Sequence, residues 1–134
     1  MPSDIYAEEI IAHYEHPHNK GKIANANEIV HEYNPTCGDE ITLYLKVEGD
    51  KIKDVKFEGT GCAISMASAS MMTDEVKGIT LKDAEAMGVD KLITVLGIDP
   101  GPARLKCATL SLRAVKKAVM LYEKKEITKE VKDL

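Results

Sequence analysis

Ile41-Thr42-Leu43-Tyr44-Leu45-Lys46-Val47 is the stretch that decides the fold. Its aliphatic residues fall at every second position, and Thr42, Tyr44 and Lys46 take the positions between. Period two over seven residues is the mark of a strand with one face on a core. Glu48-Gly49-Asp50-Lys51 follows directly and reads as a hairpin turn. Ile52–Glu58 is then the returning strand, with Ile52, Val55 and Phe57 as its apolar groups. Upstream, Glu28–Tyr33 supplies one more strand. Connections this short cannot cross over to make parallel pairs, so the sheet is small, three-stranded and antiparallel.

Helical patterns flank this sheet. Before it, Asp4 is expected to cap a helix with Tyr6, Ile10, His13 and Tyr14 inward, ended by Pro17 and Asn19-Lys20-Gly21. After it, Ala63–Lys77 is rich in Ala, Ser and Met and stops at Gly78. Thr80, with Asp83 three residues on, opens a short helix through Met87. A short apolar segment, Lys91–Leu96, precedes the breaker Gly97-Ile98-Asp99-Pro100-Gly101-Pro102. Ala108, Leu112, Val115, Val119 and Tyr122 mark the last strong helix, with Arg113, Lys116 and Lys117 off that stripe. The tail, residues 123–134, reads as a charged helical segment with a thin apolar edge of Ile127, Val131 and Leu134. The chain is therefore expected to be one α+β domain over residues 1–134, with its core at about 5–122.

Bulk properties narrow the function. A net charge of −4, no Trp and a single Phe argue against a nucleic-acid surface. No apolar run is long enough to cross a bilayer, and the first residues lack the regions of a secretory signal. The chain is expected to be cytoplasmic, with reduced thiols and no membrane partner. Nucleophile-elbow, P-loop and paired-carboxylate motifs are absent.

The chemistry rests on three cysteines in distinctive frames: Asn34-Pro35-Thr36-Cys37-Gly38-Asp39, Gly59-Thr60-Gly61-Cys62 and Arg104-Leu105-Lys106-Cys107. Three thiols cannot all pair internally, but three thiolates and the Asp39 carboxylate can fill a four-coordinate metal or iron–sulfur site. Gly38 lets backbone approach a bound ion. Asp39 has a bland alternative, bonding the amides of its own turn. Cys62, after Gly61, is expected at a helix start, where the dipole favours a thiolate. Cys107 is expected just before a helix, with Arg104 and Lys106 as the cations that stabilise its thiolate. No pair is spaced C-x-x-C, which excludes zinc-finger and thioredoxin templates. His13, His16, His18 and His31 read as packing or capping residues, and Met66, Met71 and Met72 as core.

Taken in order, these motifs resemble the IscU/NifU N-terminal scaffold family of iron–sulfur cluster assembly. The resemblance includes Gly61-Cys62-x-Ile64-Ser65-x-Ala67-Ser68 and His13-Tyr14-x-x-Pro17-x-Asn19-x-Gly21. It implies a SufE/NifU-like α+β fold and a scaffold, not a turnover enzyme. Such a scaffold takes sulfur from a cysteine desulfurase, builds a [2Fe-2S] cluster and passes it to apo-proteins. Cys37, Asp39, Cys62 and Cys107 match the cluster ligands, and Cys107 is the expected persulfide acceptor. Lys106 stands where many IscU chains have His, and Arg104-x-Lys106-Cys107 is similar to the zinc-dependent SufU branch. A zinc-containing sulfurtransferase is thus the alternative, with zinc in the cluster-free site. Asp99-Pro100-Gly101-Pro102-Ala103-Arg104 departs from the family's chaperone-recognition stretch, so no dedicated Hsp70-type partner is expected. Three cysteines per chain are compatible with a homodimer.

Overall fold

The computed structural model describes residues 2–35 and 38–134, with side chains from residue 7 onward. Cys37 lies outside the described residues. The elements are α1 (Pro2–Glu15), β1 (Glu28–Asn34), β2 (Asp39–Glu48), β3 (Lys51–Thr60), α2 (Ala63–Val76), α3 (Leu81–Ala86), α4 (Val89–Leu96), α5 (Pro102–Tyr122) and α6 (Lys129–Lys132). The strands form one antiparallel sheet in the order β1-β2-β3. Each expected strand is present and runs one to three residues further at its ends.

The alternation of β2 does what its sequence implies. Ile41, Leu43, Leu45 and Val47 are buried against the helices, while Thr42 and Lys46 are only half-buried. Tyr44 on that second face is also covered, and its hydroxyl donates to Glu58 Oε1 at 3.0 Å. Val55 and Phe57 of β3 complete the inner face, each worth roughly 2–3 kcal/mol of apolar burial. Helix α5 packs on β1 and β2, α2 packs on β3 and α5, and α1 lies on α2. Ser65 to Thr73 of α2 are buried without a break, which its small side chains permit between a sheet and two helices.

Thr80 caps α3 as its sequence predicts, accepting from the Asp83 amide at 3.1 Å. Helix α1 begins at Pro2, so Asp4 lies inside its first turn instead of capping it. Helix α5 begins at Pro102, several residues ahead of the apolar periodicity, with Gly101 as N-cap. Proline is a good first helical residue because its missing N–H would have no partner there.

Three cations expected to sit outside the apolar stripe of α5 are structural. Glu32 of β1 is 8% exposed and takes Arg113 Nε at 3.0 Å and Lys117 Nζ at 2.5 Å. Arg113 also donates to the carbonyls of Tyr33 and Leu134, tying the tail to the sheet edge. Lys116 is buried and donates to the Met87 carbonyl at the end of α3. The tail is helical only over Lys129–Lys132, with Val131 2% exposed.

Candidate metal centre

The β1–β2 turn delivers the carboxylate. Asn34 pairs with Asp39 across the strands, and the Gly38 amide donates to the Asn34 carbonyl at 2.8 Å with φ +75° at Gly38. Such a φ suits glycine, which has no Cβ to clash. Asp39 is the first residue of β2 and only 2% exposed. Its Oδ1 accepts from the Cys62 amide at 3.1 Å, so this carboxylate bonds across the fold to a residue 23 positions on.

Cys62 is the N-cap of α2, as its glycine frame predicts, and it is half-buried. Its Sγ lies 3.7 Å from Asp39 Oδ2 and 3.7 Å from Ser65 Oγ. Ser65 in turn donates to the Cys62 carbonyl at 3.1 Å. Gly61 makes this closeness feasible. A Cβ there would come within 2.4 Å of Ser65 Oγ and 2.7 Å of Asp39 Oδ1. Ser65 was not among the expected site residues, although its place three residues after a helix cap is a readable signal.

Cys107 is 2% exposed and stands in the second turn of α5, not ahead of the helix. Free helix-end amides therefore do not activate it. Arg104, three residues earlier and so on the same face, is the cation beside it. Contact with Cys107 first, then with Cys62, raises the Arg104 pKa above its ordinary value. Lys106 sends its ammonium elsewhere, to the Asp133 carbonyl in the tail. Ligand atoms of Asp39, Cys62 and Cys107 lie within 4.8 Å of one another. Thiolate sulfur with one carboxylate is a donor set suited to zinc or an iron–sulfur cluster. A cleft of about 320 Å³ opens beside Gly61, lined also by Tyr14, Pro17, Lys20, Phe57 and Met66.

This geometry has close relatives. The NifU-like N-terminal domain family matches residues 5–129. The chain belongs to that family. Among NifU-like relatives, the zinc-dependent sulfurtransferase SufU of Bacillus subtilis is 42% identical, over 89% of this chain and 92% of its own. The iron–sulfur cluster assembly scaffold protein IscU of Thermotoga maritima is 39% identical, over 86% of this chain and 92% of its own. Of solved structures, a candidate scaffold for the SUF system from Fervidobacterium islandicum aligns with a TM-score of 0.71 at 36% identity. That alignment covers 87% of this chain and 97% of the other. The α+β fold expected from the motifs is the NifU-like fold observed. No helix among the described residues is long and apolar enough to cross a membrane.

The histidines depart from expectation in one respect. His16 is exposed, and His31 makes a cross-strand contact to Thr42 at 3.2 Å. His13 and His18, read as packing or capping residues, come together beside Asp74.

Proposed function

We propose that this chain is a scaffold on which a labile [2Fe-2S] cluster is assembled from iron and desulfurase-derived sulfur, then passed to apo-proteins. The observation that carries this reading is the convergence of Asp39, Cys62 and Cys107 from three different elements, with Arg104 against the sulfurs. Cys37, two residues before Asp39 in the chain, is the fourth ligand in this proposal. A [2Fe-2S] cluster takes four protein ligands, and three thiolates with one carboxylate supply them. Carboxylate is the harder donor and the weaker partner for iron in a sulfide-rich cluster, so Asp39 is the ligand that lets the cluster leave.

Sulfur arrives as a persulfide on a cysteine desulfurase. The Cys107 thiolate attacks the outer sulfur, a new S–S bond forms, the old one breaks, and the donor cysteine leaves as a thiolate. An external reductant supplies the two electrons that turn this sulfur into sulfide. Cys107 is nearly fully buried, so the exposed Arg104 side chain must move aside during transfer. Arg104 afterwards offsets part of the negative charge of the loaded site. The work is acceptance and holding, with no substrate turned over.

Arg104-x-Lys106-Cys107 and the 42% identity to a zinc-dependent sulfurtransferase favour a second reading. Here zinc is held by the same four residues, and one cysteine leaves it to accept sulfur. Anaerobic purification, followed by iron, zinc and sulfide analysis and reconstitution, separates the two. A scaffold yields a visible chromophore with equal iron and sulfide. A sulfurtransferase retains zinc and stays colourless. A protein that binds neither through its cysteines would sink both.

A further inference from the structure

Helix α2 begins at the thiolate site and ends at a different cluster. Asp74 lies twelve residues beyond Cys62, about 18 Å along the helix at 1.5 Å per residue. There the last turn of α1 and the loop after it cross α2. His13 Nδ1 is 2.6 Å from Ser70 Oγ, and the His18 amide donates to the same oxygen at 2.8 Å. One buried hydroxyl thus fixes both histidines, whose ring centroids lie 4.5 Å apart. His18 Nδ1 is 2.6 Å from Asp74 Oδ2. Asn19 holds the other carboxylate oxygen, donating to Asp74 Oδ1 at 2.8 Å and to Thr73 Oγ1 at 3.0 Å. It does so from a left-handed backbone with φ +60°, a conformation that Asn tolerates better than most residues.

Ligand atoms of His13, His18 and Asp74 all lie within 4.8 Å of one another. A cleft of about 160 Å³, lined by His13, Met71, Asp74, Glu75 and Val95, opens onto two of the three, His13 and Asp74. A water occupies about 30 Å³, so an ion can enter with part of its hydration shell. Two lysines border the cluster and both are engaged: Lys77 by Asp54 at 3.2 Å and by Asn19 Oδ1 at 3.2 Å, and Lys91 by Glu75 at 3.6 Å. Two imidazoles and a carboxylate prefer zinc or iron(II) to magnesium or calcium. Three protein ligands leave a position to water. With Nδ1 of His13 turned to Ser70, its Nε2 is left for the ion, the usual arrangement behind a metal-bound histidine. Between His18 Nδ1 and Asp74 Oδ2, the ion takes the place of the direct 2.6 Å contact.

We propose that His13, His18 and Asp74 form a second, open-sided site for one first-row divalent transition-metal ion, zinc or iron(II), separate from the thiolate site. Such an ion pins the end of α1 to α2.

The test uses the full-length protein with its thiolate site already saturated with zinc. Further zinc is added while the ring nitrogens of all four histidines are followed by NMR. The expected result is a joint shift of His13 and His18, with His16 and His31 unmoved. His18→Gln and Asp74→Asn each weaken this second binding about tenfold or more, and Ser70→Ala about tenfold, with the thiolate–metal absorption unchanged. The proposal is overturned if His13 and His18 stay still, if all four rings respond alike, or if folded His18→Gln and Asp74→Asn proteins bind as the parent does. Should those variants not fold, the titration of the unaltered chain decides alone.

Discussion

The two ends of α2 place candidate metal ligands in opposite settings. At the Cys62 end the donors come from β2, α2 and α5, and Asp39 and Cys107 are each 2% exposed. Arg104 lies against the sulfurs there. At the Asp74 end, His18 and Asp74 have side chains 56% and 44% exposed, and a serine and an asparagine orient them. The contrast teaches that one site is built into the core and the other is laid upon the surface. Disturbing the first should cost function and fold together. Disturbing the second should cost only its own ion.

The largest effect belongs to the sulfurs. Cys62→Ser or Cys107→Ser is expected to abolish stable cluster reconstitution, read as loss of visible absorption and of bound iron and sulfide. Neither change should alter zinc-induced shifts of His13 and His18. If those shifts vanish as well, the two ends are coupled and the contrast is wrong.

Next comes the anchor of α5. Glu32 pairs with both Arg113 and Lys117 at the junction of α5 with β1, the strand that precedes Asp39 in the sheet. Glu32→Ala leaves two partly buried cations without their partner and is expected to cost about 3 kcal/mol in urea unfolding. Because α5 carries Cys107 and Arg104, cluster occupancy should fall with it. An unchanged unfolding midpoint would mean that this ion cluster does not hold α5 in place.

Gly61→Ala acts more locally. Its methyl group would meet Ser65 Oγ and Asp39 Oδ1 well inside contact distance, so the carboxylate must move. A loss of about 1–3 kcal/mol is expected from the crowding, with weaker metal binding at the thiolate end. Asp39→Ala tests the same carboxylate without crowding. The cluster should form and then leave more slowly under chelator challenge, because the exchangeable ligand is gone. Faster loss would mean that Asp39 holds the cluster instead of releasing it.

Much of the buried end could be read from the chain. Alternation in Ile41–Val47 and the Glu48–Lys51 turn set the sheet, and the glycine frame of Cys62 announced a helix start. The environment of Cys107 is hidden because apolar spacing starts its helix at Ala108, whereas Pro102 already opens it. Spacing alone therefore conceals the i, i+3 relation of Arg104 to Cys107, and Lys106, expected beside the thiolate, bonds the Asp133 carbonyl instead. The exposed end was illegible for another reason. His13 and His18 are brought to Ser70 and Asp74 by contacts spanning 52 to 57 residues, and nothing local to either histidine encodes that meeting.

The smallest expected effect is therefore the most discriminating. Without added metal, the His18–Asp74 pair is solvent-exposed and should contribute little, so His18→Gln is expected to change unfolding free energy by less than about 0.5 kcal/mol. With zinc at 100 times its dissociation constant for this site, the unaltered chain should gain about 2.7 kcal/mol by mass action, and His18→Gln should gain much less. Saturating the thiolate site beforehand in both proteins makes the difference belong to the exposed end alone. Equal zinc stabilisation of the two proteins would leave the His13–His18–Asp74 cluster as a hydrogen-bonded clasp between α1 and α2, and α2 with a single metal-binding end.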